Sequence, residues 1–126
     1  MKQVRSEKCH WRAGVVLEPE CGSGTSLHGG YCKGAHELFK NVESLGSLFA
    51  AAKEMGMAYS KAWRLVHDVE DDFGVQLLDT QGPAGSVVTC EGKRLMSNYE
   101  AALEALERAK NEWVESGHAQ ILQDCG

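Results

Sequence analysis

The sequence predicts an α+β domain, mostly helical, on three observations. Three apolar stripes of helical spacing follow one another between residues 35 and 73, two short β-prone runs flank a glycine-rich turn after them, and a long last helix carries a repeating apolar seam. With 126 residues, 43% hydrophobic and 25% charged, the chain suits one globular domain rather than a disordered or low-complexity segment. No apolar run reaches the roughly 18 residues needed to cross a bilayer. The stretch from Met1 to Arg12 lacks the apolar core of a signal peptide, so a cytoplasmic location and no membrane partner are expected. Five cysteines, Cys9, Cys21, Cys32, Cys90 and Cys125, are odd in number and widely spread, and reduced thiols are the expected state.

Residues 1–10 are read as a flexible N-terminus. From Trp11 to Glu18, Val15 and Leu17 share one face and Val16 the other, and the β-branched pair before Pro19 predicts a short edge strand. Glu20 to Gly34 holds five glycines and scattered apolar groups, which suggests a long turn and a second short strand near Leu27 to Tyr31. The pattern then becomes helical. Leu38, Phe39, Val42 and Leu45 make the inner stripe of a first helix ending near Gly46. Ser47 can cap a second, short helix whose inner stripe is Leu48, Ala51, Ala52 and Met55, closed by Gly56 in the left-handed conformation. A third helix follows at once, with Ala62, Val66, Val69 and Phe73 inward, Ser60, Lys61, Arg64, His67 and Asp68 outward, and a stop at Gly74.

Two helices joined by a tight glycine turn are the pattern of a helix-turn-helix, in which the second helix presents its outer face to a major groove. Val75, Leu77 and Leu78 predict a strand, Asp79 to Gly85 a turn, and Ser86 to Val88 the returning strand. Together these predict a winged helix-turn-helix over residues 11–90, with the recognition helix at about 58–73. Thr89 can cap the last helix, with Glu91 at its dipole-positive start. Within it Leu95, Tyr99, Ala102, Leu106, Ala109 and Trp113 recur at alternating steps of four and three, a period of 3.5, which predicts a linker and dimerisation helix over 91–116 before a flexible tail, 117–126.

The run Gly46-Ser47-Leu48-Phe49-Ala50-Ala51-Ala52-Lys53-Glu54-Met55-Gly56-Met57-Ala58-Tyr59-Ser60-Lys61-Ala62-Trp63 resembles the DNA-binding domain of ModE-type, molybdate-responsive regulators, in the pattern G-S-x(3)-A-A-K-x-x-G-M-S-Y-x-x-A-W. The stretch from Val69 to Asp79, with Val88-Thr89-Cys90-Glu91-Gly92 after it, is also similar to the LysR-type winged helix, whose strand and linker read L-E-x-x-L-G-x-x-L-F-x and L-T-x-x-G. The resemblance covers roughly residues 11–115 and implies a sequence-specific transcriptional regulator acting as a homodimer on double-stranded DNA. Ala58 stands where the family usually has the serine that caps the recognition helix. The wing, Thr80 to Val87, is shorter than the family's and has no basic residue. The chain also stops where full-length ModE-type members continue into molybdate-binding domains, so no molybdate is expected.

Tyr59, Ser60, Lys61 and Arg64 are the expected DNA-contacting residues, with His67 as a weaker candidate and Lys93 and Arg94 for flanking phosphates. Trp63 is expected to pack on the preceding helix. Charge argues partly the other way. The chain carries minus five overall, and residues 41–94, with five basic and eight acidic groups, carry minus three. A winged helix that binds protein instead of DNA is therefore the alternative, beside a cysteine-based redox or metal sensor. Cys9, His10, Cys21, Cys32 and His36 lack zinc-site spacing, so no metal or cofactor is expected. Cys90, at a helix start, has the position of a redox thiol, but a small buried hydrophobe is the favoured role. Asp68, Glu70, Asp71 and Asp72 read as a solvated helix end pointing away from DNA. No nucleophile elbow or phosphate loop occurs, so an enzyme is not expected.

Overall fold

The computed structural model describes residues 12–19, 30–82 and 85–117. The expectations placed on Cys9, His10, Trp11, Cys21, Cys125 and the start of the Leu27–Tyr31 strand, and on nearly all of the two flexible ends, lie outside these residues. The chain divides into two compact units. One runs from residue 16 to 100, and the other combines residues up to 15 with residues from 101 onward.

The larger unit holds the helix-turn-helix. Helix α1 (Lys33–Leu45) buries Ala35, His36, Leu38, Phe39 and Val42 and ends at Gly46, whose φ of 82° gives the left-handed residue that stops a helix. Leu45, expected on the inner stripe, is exposed. It is the last helical residue, where the chain turns away at Gly46. Helix α2 (Leu48–Glu54) is capped by the Ser47 side chain, which accepts the Ala50 amide at 3.0 Å, and it buries Leu48, Ala51 and Ala52. Met55 is half-buried. Gly56 supplies a positive φ, and helix α3 (Tyr59–Phe73) opens after Met57 and Ala58 with Ala62, Val66 and Val69 inward.

The wing pairs β1 (Leu78–Thr80) with β2 (Ser86–Val88) antiparallel, in the register Leu78↔Val88, Asp79↔Val87, Thr80↔Ser86. The first strand thus begins later than its apolar residues suggest. Val75 is exposed, and Asp79 and Thr80 belong to the ladder rather than to the turn. Leu77 is buried but gives its backbone elsewhere: its amide goes to Glu70, and its carbonyl accepts the Thr89 amide at 3.0 Å. At the far end of the hairpin the Ser86 amide donates to the Gly46 carbonyl at 2.9 Å, which ties the wing to the turn between α1 and α2. A Cβ at Gly85 would collide with that carbonyl.

Helix α4 (Cys90–Glu115) starts where Thr89 Oγ1 accepts the Gly92 amide at 3.1 Å and donates to the Gln76 carbonyl at 2.7 Å. Gly92 lets this first turn lie against Leu77 and Val88, since a Cβ there would overlap both. Leu95, Met96 and Tyr99 complete the core. In place of an N-terminal strand pair, the described residues show one bridge, Leu17 with Tyr31, held by reciprocal backbone bonds of 3.0 and 2.9 Å. Fully buried Tyr31 meets Phe39 and Tyr99 edge-on, a favourable aromatic geometry. Its hydroxyl donates to His36 Nδ1 at 2.8 Å, and in that tautomer His36 Nε2–H donates to Glu100 at 3.1 Å. Burial, reinforced by Tyr99 and Glu100, pushes the Tyr31 phenol well above its usual range, and burial likewise raises Tyr99.

In the smaller unit α4 continues from Ala101 to Glu115. It carries the pairs Glu104–Arg108 at 3.8 Å and Glu107–Lys110 at 2.7 Å. The helix closes where the Ser116 hydroxyl donates to the Trp113 carbonyl at 2.6 Å, followed by Gly117 at a φ of 87°.

Candidate nucleic-acid interface

The interface is built on α3. Because Ala62, Val66 and Val69 repeat at helical spacing and are buried, the opposite face of the helix is turned to solvent. Tyr59, Ser60, Lys61, Trp63 and Arg64 are all exposed, as the sequence predicts for four of them. The helix start is N-capped by Ala58 in an extended conformation with no side-chain hydrogen bond, so the cap the sequence lacks is not replaced. Lys93 and Arg94, in the first turns of α4, are also exposed.

His67 stands differently. Its Nδ1 pairs with Glu70 Oε1 at 3.0 Å, and its ring meets Trp63 edge to face. Trp63 is 49% exposed, and its ring contact is with His67 on its own helix rather than the expected packing on the preceding one. Beside it, Phe49 of α2 is 64% exposed, and its ring lies 6.1 Å from that of Tyr59.

Glu70 was expected in a solvated acidic cluster and is not there. Its side chain is only 15% exposed, and Oε2 accepts the amides of Leu77 and Leu78 at 2.8 and 3.1 Å. The carboxylate therefore fixes the entry into β1 from the end of the recognition helix. The signal for it lay in the glutamate of the L-E-x-x-L-G pattern. Cys90, read as a buried hydrophobe, is exposed, while Cys32 is half-buried. His36 is committed to Tyr31 and Glu100, and no group of potential metal ligands occurs among the described residues. Of the expected dimer seam, Leu95 and Tyr99 are buried in the core of the chain itself. Ala102 and Leu106 are half-buried, and Ala109 and Trp113 are exposed. Among the described residues no helix is long and apolar enough to cross a membrane.

A helix-turn-helix with an outward-facing third helix, a two-stranded wing and a long following helix define a winged helix-turn-helix DNA-binding domain. Residues 35–93 match the family of bacterial regulatory helix-turn-helix proteins of lysR type. Over these residues the chain is similar to the DNA-binding domain of LysR-type transcription regulators. The HTH-type transcriptional regulator TdcA of Escherichia coli K12 is 32% identical over 75 residues, which are 60% of this chain and 24% of that protein, and TdcA of Shigella flexneri matches equally. The chain thus spans about a quarter of the length of these curated relatives. A crystal structure of VV2_1132, a LysR family transcriptional regulator, superposes with a TM-score of 0.51 at 25% identity, over 64% of this chain and 28% of that one. The structure of a complex of the CbnR DNA-binding domain with DNA shares the fold, with a TM-score of 0.54 at 24% identity, over 65% of this chain and 93% of that one.

Proposed function

We propose that the protein binds double-stranded DNA sequence-specifically as a homodimer and regulates transcription from the cytoplasm, without an enzymatic activity. The observation that carries this is the exposed face of α3, where Tyr59, Ser60, Lys61 and Arg64 stand free of the core directly behind a helix-turn-helix. Lys61 and Arg64 supply phosphate and guanine-edge contacts, Tyr59 and Ser60 supply hydroxyl donors, and Lys93 and Arg94 reach flanking phosphates. His67, tied to Glu70, serves as a secondary contact. That a related domain has been crystallised on DNA supports the same reading. So does the ModE-like run from Gly46 to Trp63.

A winged helix that holds a protein is favoured by one observation, the minus-three balance of residues 41–94 with no basic residue in the wing. Fluorescence anisotropy separates the two. Duplexes from upstream of the protein's own gene should bind more tightly than scrambled ones, and binding should fall steeply as salt rises from about 50 mM. Lys61→Ala with Arg64→Ala should weaken binding at least tenfold and lower the salt slope by about two. Equal, weak binding to both duplexes at about 50 mM salt sinks the DNA reading and leaves the protein-binding one.

A further inference from the structure

Three exposed aromatic rings stand together on the recognition side of the helix-turn-helix, and the core does not use them. Tyr59 and Trp63 are one turn apart on α3, 43% and 49% exposed, and Phe49 of α2, 64% exposed, lies against Tyr59. Solvent-facing apolar groups are ordinary when scattered singly, but a contiguous set marks a surface that meets a partner. Lys61 and Arg64 rise from the same turns of α3 at other exposed positions, so a partner that wraps the helix meets cations as well as the rings. A flat apolar surface would match the rings alone. A DNA major groove matches both, since it offers phosphates along its walls and, on its floor, one apolar group: the C5-methyl of thymine.

We propose that Trp63, with Phe49 and Tyr59 beside it, reads thymine methyl groups in the major groove. This would make Trp63 a specificity-determining residue in addition to the polar set. The inference rests on the DNA-binding reading above and assigns a chemistry to the part of the recognition surface that hydrogen bonding leaves unused. His67 supports the arrangement from below, because its ring meets the indole edge to face while Glu70 holds its Nδ1.

The test needs no known operator. Duplexes are first selected from a randomised library by the full 126-residue chain, and the tightest is then resynthesised with deoxyuridine replacing each thymidine in turn, which removes one methyl and no hydrogen-bonding group. At one or more positions in each half-site, affinity should drop about three- to fivefold, the worth of one buried methyl. Trp63→Ala should bind the thymine and uracil duplexes equally, while Lys61→Ala should weaken both and keep their ratio. If the unmodified protein is indifferent to uracil at every position, or if Trp63→Ala retains the discrimination, the inference is wrong. Failure to select any sequence would instead overturn the DNA-binding reading itself. The uracil scan of the unmodified chain stands independently of how the variant folds.

Discussion

The carboxylate of Glu70 shows how one side chain can set the relation between two parts of a fold. With its side chain 15% exposed, it accepts two backbone amides at the entry to the wing, that of Leu77 just before the ladder and that of Leu78 at its first position. A charged acceptor suits this place, because hydrogen bonds to an ionised group are worth about 1.5–3 kcal/mol, and buried amides without a partner are costly. Glu70→Ala should destabilise the protein by about 2–3 kcal/mol, read from urea unfolding, with Glu70→Gln losing less because its amide oxygen still accepts. A loss below about 0.5 kcal/mol for the alanine variant would mean that water replaces the carboxylate at both amides. Composition places Glu70 among three other acids. Only the position of the later amides separates it from Asp71, which is exposed.

Caps give the helices of the helix-turn-helix unequal starts. Helix α2 opens on Ser47, whose hydroxyl holds the Ala50 amide, whereas α3 opens on Ala58, which holds none. Ser47→Ala should therefore cost about 1 kcal/mol, and Ala58→Ser should add a few tenths to about 1 kcal/mol, both measurable as shifts of the thermal midpoint. If Ala58→Ser left the midpoint unchanged, the extended backbone at that position would not be aiming a hydroxyl at the first turn. The inner faces of these helices were legible in the sequence, since Leu38, Ala51, Ala62 and Val66 obey a period the backbone imposes. So were the stops at Gly46 and Gly74, where positive φ selects glycine. Periodicity says nothing about where a face runs out, so Leu45 was expected inside and is exposed. Nor does it fix which residues of a short apolar run enter a ladder, and for that reason Leu77 was expected in the strand and lies before it. Of the candidate site, the polar face of α3 was readable. The exposure of Trp63 was not, because a tryptophan at the edge of a stripe packs inward or outward according to neighbours that only the tertiary fold supplies.

Beyond the single domain, the seam along α4 divides by burial. Leu95 and Tyr99 serve the core of the chain, and of the later members Ala102 and Leu106 are half-buried and Ala109 and Trp113 exposed. If these four pair two chains, Leu106→Asp with Trp113→Asp should halve the mass measured by light scattering after size exclusion and leave far-ultraviolet dichroism nearly intact. An unchanged dimer mass would place the contact elsewhere, and a monomer mass for the unmodified chain would remove the dimer altogether. A dimer matters to DNA binding because two recognition helices bind half-sites about 34 Å apart, one turn of the duplex, more tightly than either does alone. The bond from the Ser86 amide to the Gly46 carbonyl adds a constraint of another kind. It fastens the end of the wing to the beginning of the turn before α2, so the stretch of chain containing α2, α3 and β1 is closed into a ring, and Glu70 braces that ring from within. Moving the wing away from that turn would cost this bond, about 1 kcal/mol. Wing and turn are thereby coupled, so that a displacement of one is felt at the other.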